Sequence, residues 1–421
     1  MIHFQKRTLD NGLTVIVEQD KITTLAAVNV LYKVGSRNES PEKTGFAHLF
    51  EHLMFGGSKH APDFDTPLQS ASGENNAYTN NDYTNYYDVV PYQNIETAFW
   101  LEADRMANLD INEDTLSLQK KVVIEEFKEV CLNKPYGDSW HHLSALAYKE
   151  HPYNWPTIGK TIQHIENATL SDVKSFYNKH YHPANAILTV SGPLAPERVF
   201  DLAEKWFGGL SSPKNREIIT LPQEPEQNGF QSKIITAPVP SRLFLLAYHM
   251  PGRNAQDYYA CDLLTDIMAN GRSARLYNNL VRKKQLMSQI DCYVTGTFDP
   301  GLIVIEGRPM PDITNEICIY EVKEELRILR AGQPSDWELQ KVKNKVISSL
   351  AMSDLNVLNK AISMAYYEWL GRLDLMNQQE ELFQSVTIDD ILSAMDLYLL
   401  DSNMTQIEYL PEEVVEETMA S

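Results

Sequence analysis

Apolar and polar residues alternate in the opening segment, where Leu13, Val15 and Val17 follow the turn Asp10-Asn11-Gly12. This two-residue period predicts a strand. Ala26 to Val34 is a second aliphatic run of the same kind. The period then changes: Pro41 to about Phe55 reads as a helix, with Ser40 as N-cap, Pro41 in the first helical position and Gly56-Gly57 ending it. That helix is apolar on nearly every side, which predicts burial. Strand-like text returns at Asn76 to Val90, helices are expected over Ile95 to Leu109 and about Leu116 to Val130, and Ala186 to Val190 reads as a strand stopped by Ser191-Gly192-Pro193.

Residues 211–241 carry Pro213, Pro222, Pro225, Pro238 and Pro240 among polar residues and read as a connection between domains. The two sides echo each other. The strand ending Leu31-Tyr32-Lys33-Val34-Gly35-Ser36-Arg37 precedes His48-Leu49-Phe50-Glu51-His52-Leu53-Met54, and Leu246-Ala247-Tyr248-His249-Met250 precedes Asp262-Leu263-Leu264-Thr265-Asp266-Ile267-Met268. The offset is about 215 positions, and apolar residues recur while His48, Glu51 and His52 become Asp262, Thr265 and Asp266. The expected fold is α+β: two homologous α/β-sandwich repeats, each a mainly antiparallel sheet covered by helices. Residues 1–210 form the repeat that keeps the chemistry, 211–241 the linker and 242–421 a degenerate second repeat.

Composition narrows the function. Lys and Arg number 37 against 57 Asp and Glu, a net charge of −20 that repels nucleic-acid phosphates and anionic lipid headgroups. No run reaches the ~20 apolar residues of a spanning helix, and Met1 leads into no basic-then-apolar leader, so the chain is read as cytoplasmic, with neither nucleic-acid nor membrane partners. Cys131, Cys261, Cys292 and Cys318 lie far apart without paired metal spacing, and read as buried free thiols.

The chemistry is carried by His48, Glu51 and His52. At ~100° per residue, Glu51 falls at about −60° and His52 at about +40° from His48, so two imidazoles share one helix face with a carboxylate beside them. Buried histidines bonded to backbone are the competing reading. Three ionisable groups on an otherwise apolar helix are costly to bury unpaired, and a divalent cation resolves that cost. A catalytic zinc takes three protein ligands. With Val122 at 0°, the apolar residues of the downstream helix centre near about 80°; Glu126, at about 40°, lies within that stripe, while Glu125 and Glu129 point away. Glu126 is therefore the third ligand candidate.

His48-Leu49-Phe50-Glu51-His52, followed by Glu126 in Val122-Val123-Ile124-Glu125-Glu126-Phe127, resembles the pitrilysin family of inverted-zincin metallopeptidases. Similar text runs over almost the whole chain: Asn76-Ala77-Tyr78-Thr79, Thr84-Asn85-Tyr86-Tyr87, His151-Pro152-Tyr153, Tyr181-His182-Pro183-Ala184-Asn185-Ala186 and Gly271-Arg272-Ser273-Ala274-Arg275-Leu276. The length is similar to the short-chain members, which pair two subunits into a hollow chamber. The resemblance implies one Zn2+ per catalytic subunit on His48, His52 and Glu126, with Glu51 taking the proton of the attacking water. It implies that Asn76, Ala77, Tyr78 and Thr79 line the cleft and bind extended peptide. Two departures stand out: Gln119 replaces a glutamate the family often carries near the third ligand, and of the family's arginine–tyrosine pair only Arg282 is matched, the tyrosine falling at Ser288 or Gln289. The expected activity is hydrolysis of short or unfolded peptides by a homodimer or a heterodimer with a related chain. A non-catalytic scaffold and a zinc-dependent peptide-binding module of the same fold are the rivals.

Overall fold

The computed structural model describes residues 1–213 and 220–412. Two compact units are interleaved along the chain: Met1–Lys128, His151–Pro222 and Ile347–Glu381 form the first, and Glu129–Glu150, Gln223–Val346 and Leu382–Ser421 the second. The strands are β1 (Phe4–Thr8), β2 (Thr14–Gln19), β3 (Leu25–Tyr32), β4 (Glu74–Thr79), β5 (Thr84–Pro91), β6 (Ala186–Gly192), β7 (Gln231–Ala237), β8 (Leu243–Met250), β9 (Met287–Val294), β10 (Gly301–Pro309) and β11 (Met404–Pro411). The helices are α1 (Phe46–Leu53), α2 (Asp65–Ser70), α3 (Ile95–Asn108), α4 (Glu113–Phe127), α5 (Ser139–Ala147), α6 (Ile162–Glu166), α7 (Leu170–His180), α8 (Pro196–Phe207), α9 (Tyr258–Met268), α10 (Asn315–Gly332), α11 (Asp336–Ser353), α12 (Val357–Trp369), α13 (Gln379–Ser385) and α14 (Ile388–Tyr398).

The sheet of the first unit runs β1-β2-β6-β3-β5-β4 and is antiparallel except where β2 meets β6. Side chains alternate across it, as the pleat requires. Ala26, Val28, Val30 and Tyr32 of β3 enter the main core with Leu49, Phe50 and Leu53 of α1 and with residues of α3 and α8. Ala27 faces the other way and packs with Val89, Val357 and Ala361, so α12 covers the second face. That face also carries a polar row: Asn85 donates to Asn29 at 2.7 Å, Asn29 to Thr189 at 3.2 Å, and Thr189 to the carbonyl of Ala361 at 2.8 Å. Lys360 of α12 reaches Glu18 and Asp20, the latter at 2.6 Å, and its hydrogen bond holds the Asp20 carboxyl below its usual range. These partners make a buried lysine affordable.

The second unit repeats the plan. Its sheet runs β7-β11-β8-β10-β9, with β7 and β11 parallel and the other pairs antiparallel, and α5 packs on β7, β8 and β11. The β3-to-α1 succession of the first unit recurs here as β8 followed by α9.

Three expectations change. The compact units exchange segments 129–150 and 347–381 relative to a split at the proline-rich stretch, because α5 and α12 each cover a sheet that their own half of the sequence does not supply. Within 211–241, residues 214–219 lie outside the described residues and Gln231–Ala237 is the strand β7; Pro213, Pro222 and Pro225 precede the strand and Pro238 and Pro240 follow it, where no ladder amide is needed. Finally, α1 begins at Phe46 and not at Pro41, because Gly45 adopts φ 86° and interrupts the helical path, while Ser40 pairs with Lys43 as an isolated bridge. The four cysteines are free and buried, as expected. Among the described residues, no helix is long and apolar enough to cross a membrane.

Candidate metal centre and active site

Phe46, Ala47, Leu49, Phe50 and Leu53 bury one side of α1, and the remaining face presents His48, Glu51 and His52, all half-buried. Phe50 stacks on Phe176 and Tyr181, with ring centroids 5.0 and 5.1 Å away, which fixes the rotation of the helix about its axis. The adjacent α4 starts at a capping box on Asn112, whose side chain accepts from the amides of Asp114 and Thr115.

Glu126 of α4 faces α1. Its Oε2 lies 3.6 Å from His48 Nε2 and 3.2 Å from His52 Nε2, and the two imidazole rings meet edge to face at 4.9 Å. One donor atom from each residue falls within 4.8 Å of the others. A tetrahedral ion with bonds of ~2.05 Å spaces its ligand atoms by about 3.3 Å, so the donor set fits zinc in number, type and spacing. Burial pushes the His48 imidazole below its ordinary pKa, against the pull of Glu126. The hydrogen bond from His52 holds the Glu126 carboxyl low, burial opposing it. Metal binding requires neutral imidazole and ionised carboxylate, and the shifts of His48 and Glu126 run in those directions.

The structure brings Glu126 to His48 and His52, but the apolar stripe behind the face argument is narrower than expected. Val123 and Phe127 are buried, but Val122 and Val130 are more than 40% exposed, so the apolar stripe is narrower and Glu126 flanks it. That edge position leaves the carboxylate free to reach across to α1. Glu125 is exposed and pairs with Lys128 at 2.7 Å, and Glu129 is exposed in the π-helical turn Lys128–Asn133. Gln119, two turns before Glu126 on the same side of α4, is half-buried.

Asn76, Ala77, Tyr78 and Thr79 form most of β4, the edge strand of the first sheet. The Ala77 amide donates to Asn76 Oδ1, a neighbouring side chain, rather than to another strand. Thr79 Oγ1 donates to Glu51 Oε2 at 2.6 Å, a link the sequence reading did not anticipate because no local spacing encodes it. Glu39 was missed as well: buried behind α1, it accepts from the amides of Gly45 and Ala47. Its only signal in the sequence is an acid in a loop before a helix that lacks a capping side chain. Arg282 lies exposed in the π-helical stretch Tyr277–Lys283 of the second unit. Ser288 and Gln289 are exposed on β9, and Tyr293 of that strand is half-buried, 6.5 Å from the Trp140 ring.

Comparison with known proteins identifies the family. Residues 14–161 match the family model described as Insulinase (Peptidase family M16), and residues 167–346 match Peptidase M16 inactive domain. The chain belongs to peptidase family M16. The first M16 segment contains His48, Glu51, His52 and Glu126, and the second contains Asp262, Thr265 and Asp266 of α9 in place of the α1 set. A Helicobacter pylori relative, zinc protease PqqE, is 31% identical over 96% of this chain and 92% of its own length. The crystal structure of a protease from Helicobacter pylori superimposes with a TM-score of 0.94 at 30% identity, covering 98% of this chain and all of that one. Pitrilysin shares the fold, with a TM-score of 0.77 at 16% identity, and 98% of this chain spans 45% of that chain.

Proposed function

We propose that this chain is a zinc-dependent endopeptidase that hydrolyses short or unfolded peptides inside a dimeric chamber. The observation that carries the proposal is the convergence of His48, His52 and Glu126 donor atoms, with Glu51 on the same helix face. His48, His52 and Glu126 hold the ion, which when bound polarises the scissile carbonyl and acidifies the attacking water. Glu51 accepts one proton from that water as its oxygen bonds to the carbonyl carbon. It returns the proton to the amide nitrogen as the C–N bond breaks, leaving a carboxylic acid and an amine, and the acid's remaining proton passes to the amine to give carboxylate and ammonium. Thr79 keeps Glu51 Oε2 in place through its hydroxyl. Substrate enters as an extended strand along β4, the edge strand that carries Asn76, Ala77 and Tyr78, and takes the place of the Asn76 side chain at the Ala77 amide. Gln119 supports α4 next to Glu126 as a neutral group, and Arg282 is the arginine that the family likeness assigns to holding the peptide or the developing oxyanion.

Dimerisation follows from size. The chain has the length of about half of pitrilysin, so a second subunit supplies the missing enclosure, either a copy of this chain or a related one. A partner also offers a donor for the tyrosine that Ser288 or Gln289 replaces; losing one such donor typically costs ~10²–10³ in rate.

The test is metal analysis of the purified chain, followed by cleavage of an unstructured peptide library, with light scattering on the same fractions. Zinc near one equivalent, cleavage abolished by Glu51→Gln and activity confined to the dimer are expected. Zinc without turnover leaves a peptide-binding module, and neither zinc nor turnover leaves a scaffold of the same fold.

A further inference from the structure

Helix α1 must hold two of the three metal donors, yet it has eight residues and its N-cap is Gly45, which has no side chain to accept its first amides. An uncapped first turn leaves orphan N–H groups and frays readily. Two of those groups are satisfied from outside the helix. Gly45 N donates to Glu39 Oε2 at 2.9 Å and Ala47 N to Glu39 Oε1 at 2.8 Å. The Trp155 indole donates to Oε2 at 3.0 Å, so three N–H groups converge on one buried carboxyl. Burial pushes that carboxyl up to about 8 against the pull of its donors.

The surroundings leave little slack. Thr44 Oγ1 accepts from the Lys160 amide at 2.8 Å and lies 2.8 Å from His164 Nδ1. A Cβ on Gly45 would meet the Ile158 carbonyl oxygen at 2.9 Å. The helix start is therefore clasped between the Glu39 loop and the 155–164 segment, and His48 follows one turn later.

Resting on the peptidase reading above, we propose that Glu39 is a positioning residue for the metal centre: it serves as a tertiary N-cap that sets where α1 begins and so where His48 and His52 face Glu126. An amide at this position cannot replace the carboxyl. With its oxygen against Gly45 and Trp155, the NH2 group of a glutamine would face the Ala47 amide, donor against donor.

The experiment compares Glu39→Gln and Glu39→Ala with Glu42→Gln, an exposed acid three residues on that touches Ser40. Zinc affinity is measured by chelator competition, the Co2+-substituted protein by its visible spectrum, and α1 by amide hydrogen exchange. Both Glu39 variants should remain folded, bind zinc roughly 10–100-fold more weakly, shift the Co2+ bands and exchange the α1 amides faster. Glu42→Gln should match the wild type. Glu39 variants that melt earlier but keep wild-type zinc affinity and Co2+ spectrum would overturn the proposal. Should neither fold, Glu39→Asp keeps the carboxyl but withdraws it by one methylene, and a folded Glu39→Asp with wild-type affinity overturns it equally. A wild-type chain that takes up no zinc sinks the peptidase reading instead, and unchanged α1 exchange in Glu39→Gln would then still count against Glu39.

Discussion

The hydroxyl of Thr79 donates to Glu51 Oε2 at 2.6 Å, tying the edge strand β4 to the carboxylate on α1. The strand expected to hold substrate and the group expected to move the proton are thus one mechanical unit. Thr79→Val, which keeps the branched shape without the hydroxyl, should lower kcat by about 10-fold with little change in KM, and Thr79→Ser should recover most of it. Steady-state kinetics on an unstructured peptide decide this; equal loss in both variants would make the hydroxyl irrelevant.

Glu51→Gln should bind zinc as the wild type does and lose at least ~10² in turnover, since the donor set is intact and only the proton acceptor is gone. His48→Ala, His52→Ala and Glu126→Gln should instead lower zinc occupancy. Glu125→Gln and Glu129→Gln should not, because Glu125 is turned to Lys128 and Glu129 to solvent. Metal analysis of the purified variants separates the two groups.

Beneath this site Arg105 is 1% exposed, bonded through Nε to Glu102 at 2.9 Å and stacked on Phe64 and Tyr86. Burial, then the charge of Glu102, pushes the neighbouring Asp88 carboxyl well above the carboxylate range. Arg105→Met should cost about 3–5 kcal/mol, because Glu102 is left buried without its cation. Asp88→Asn should cost far less, as burial already disfavours the charge that the substitution removes. Chemical denaturation of both variants measures the difference.

In the second unit Arg275 grips Glu338 with two hydrogen bonds of 2.7 and 2.8 Å and lowers its carboxyl to about 2. A depressed carboxylate adds stability above its unfolded pKa, near 4.5, that is lost as the pH falls toward 2. The contribution is about 1–2 kcal/mol once solvent screening is allowed for. Glu338→Gln should therefore lower the melting temperature at pH 7 and flatten its decline below pH 4.5; parallel wild-type and variant curves would refute the pair's role.

The sequence alone determined the repeated α+β plan and the placement of His48, Glu51 and His52 on one helix face, because both follow from local periodicity: two for strands, near 3.6 for helices. It also named Glu126 among three glutamates, although the stripe that selected it proved narrower. Tertiary structure decided what no period encodes. Gly45 at φ 86° moved the start of α1 to Phe46, and the acid capping that start comes from Glu39, outside the helix. Thr79 reaches Glu51 only because β4 pairs with β5 at the sheet edge. The exchange of α5 and α12 between the units was equally hidden, since an amphipathic helix records that one face is buried but not which sheet buries it.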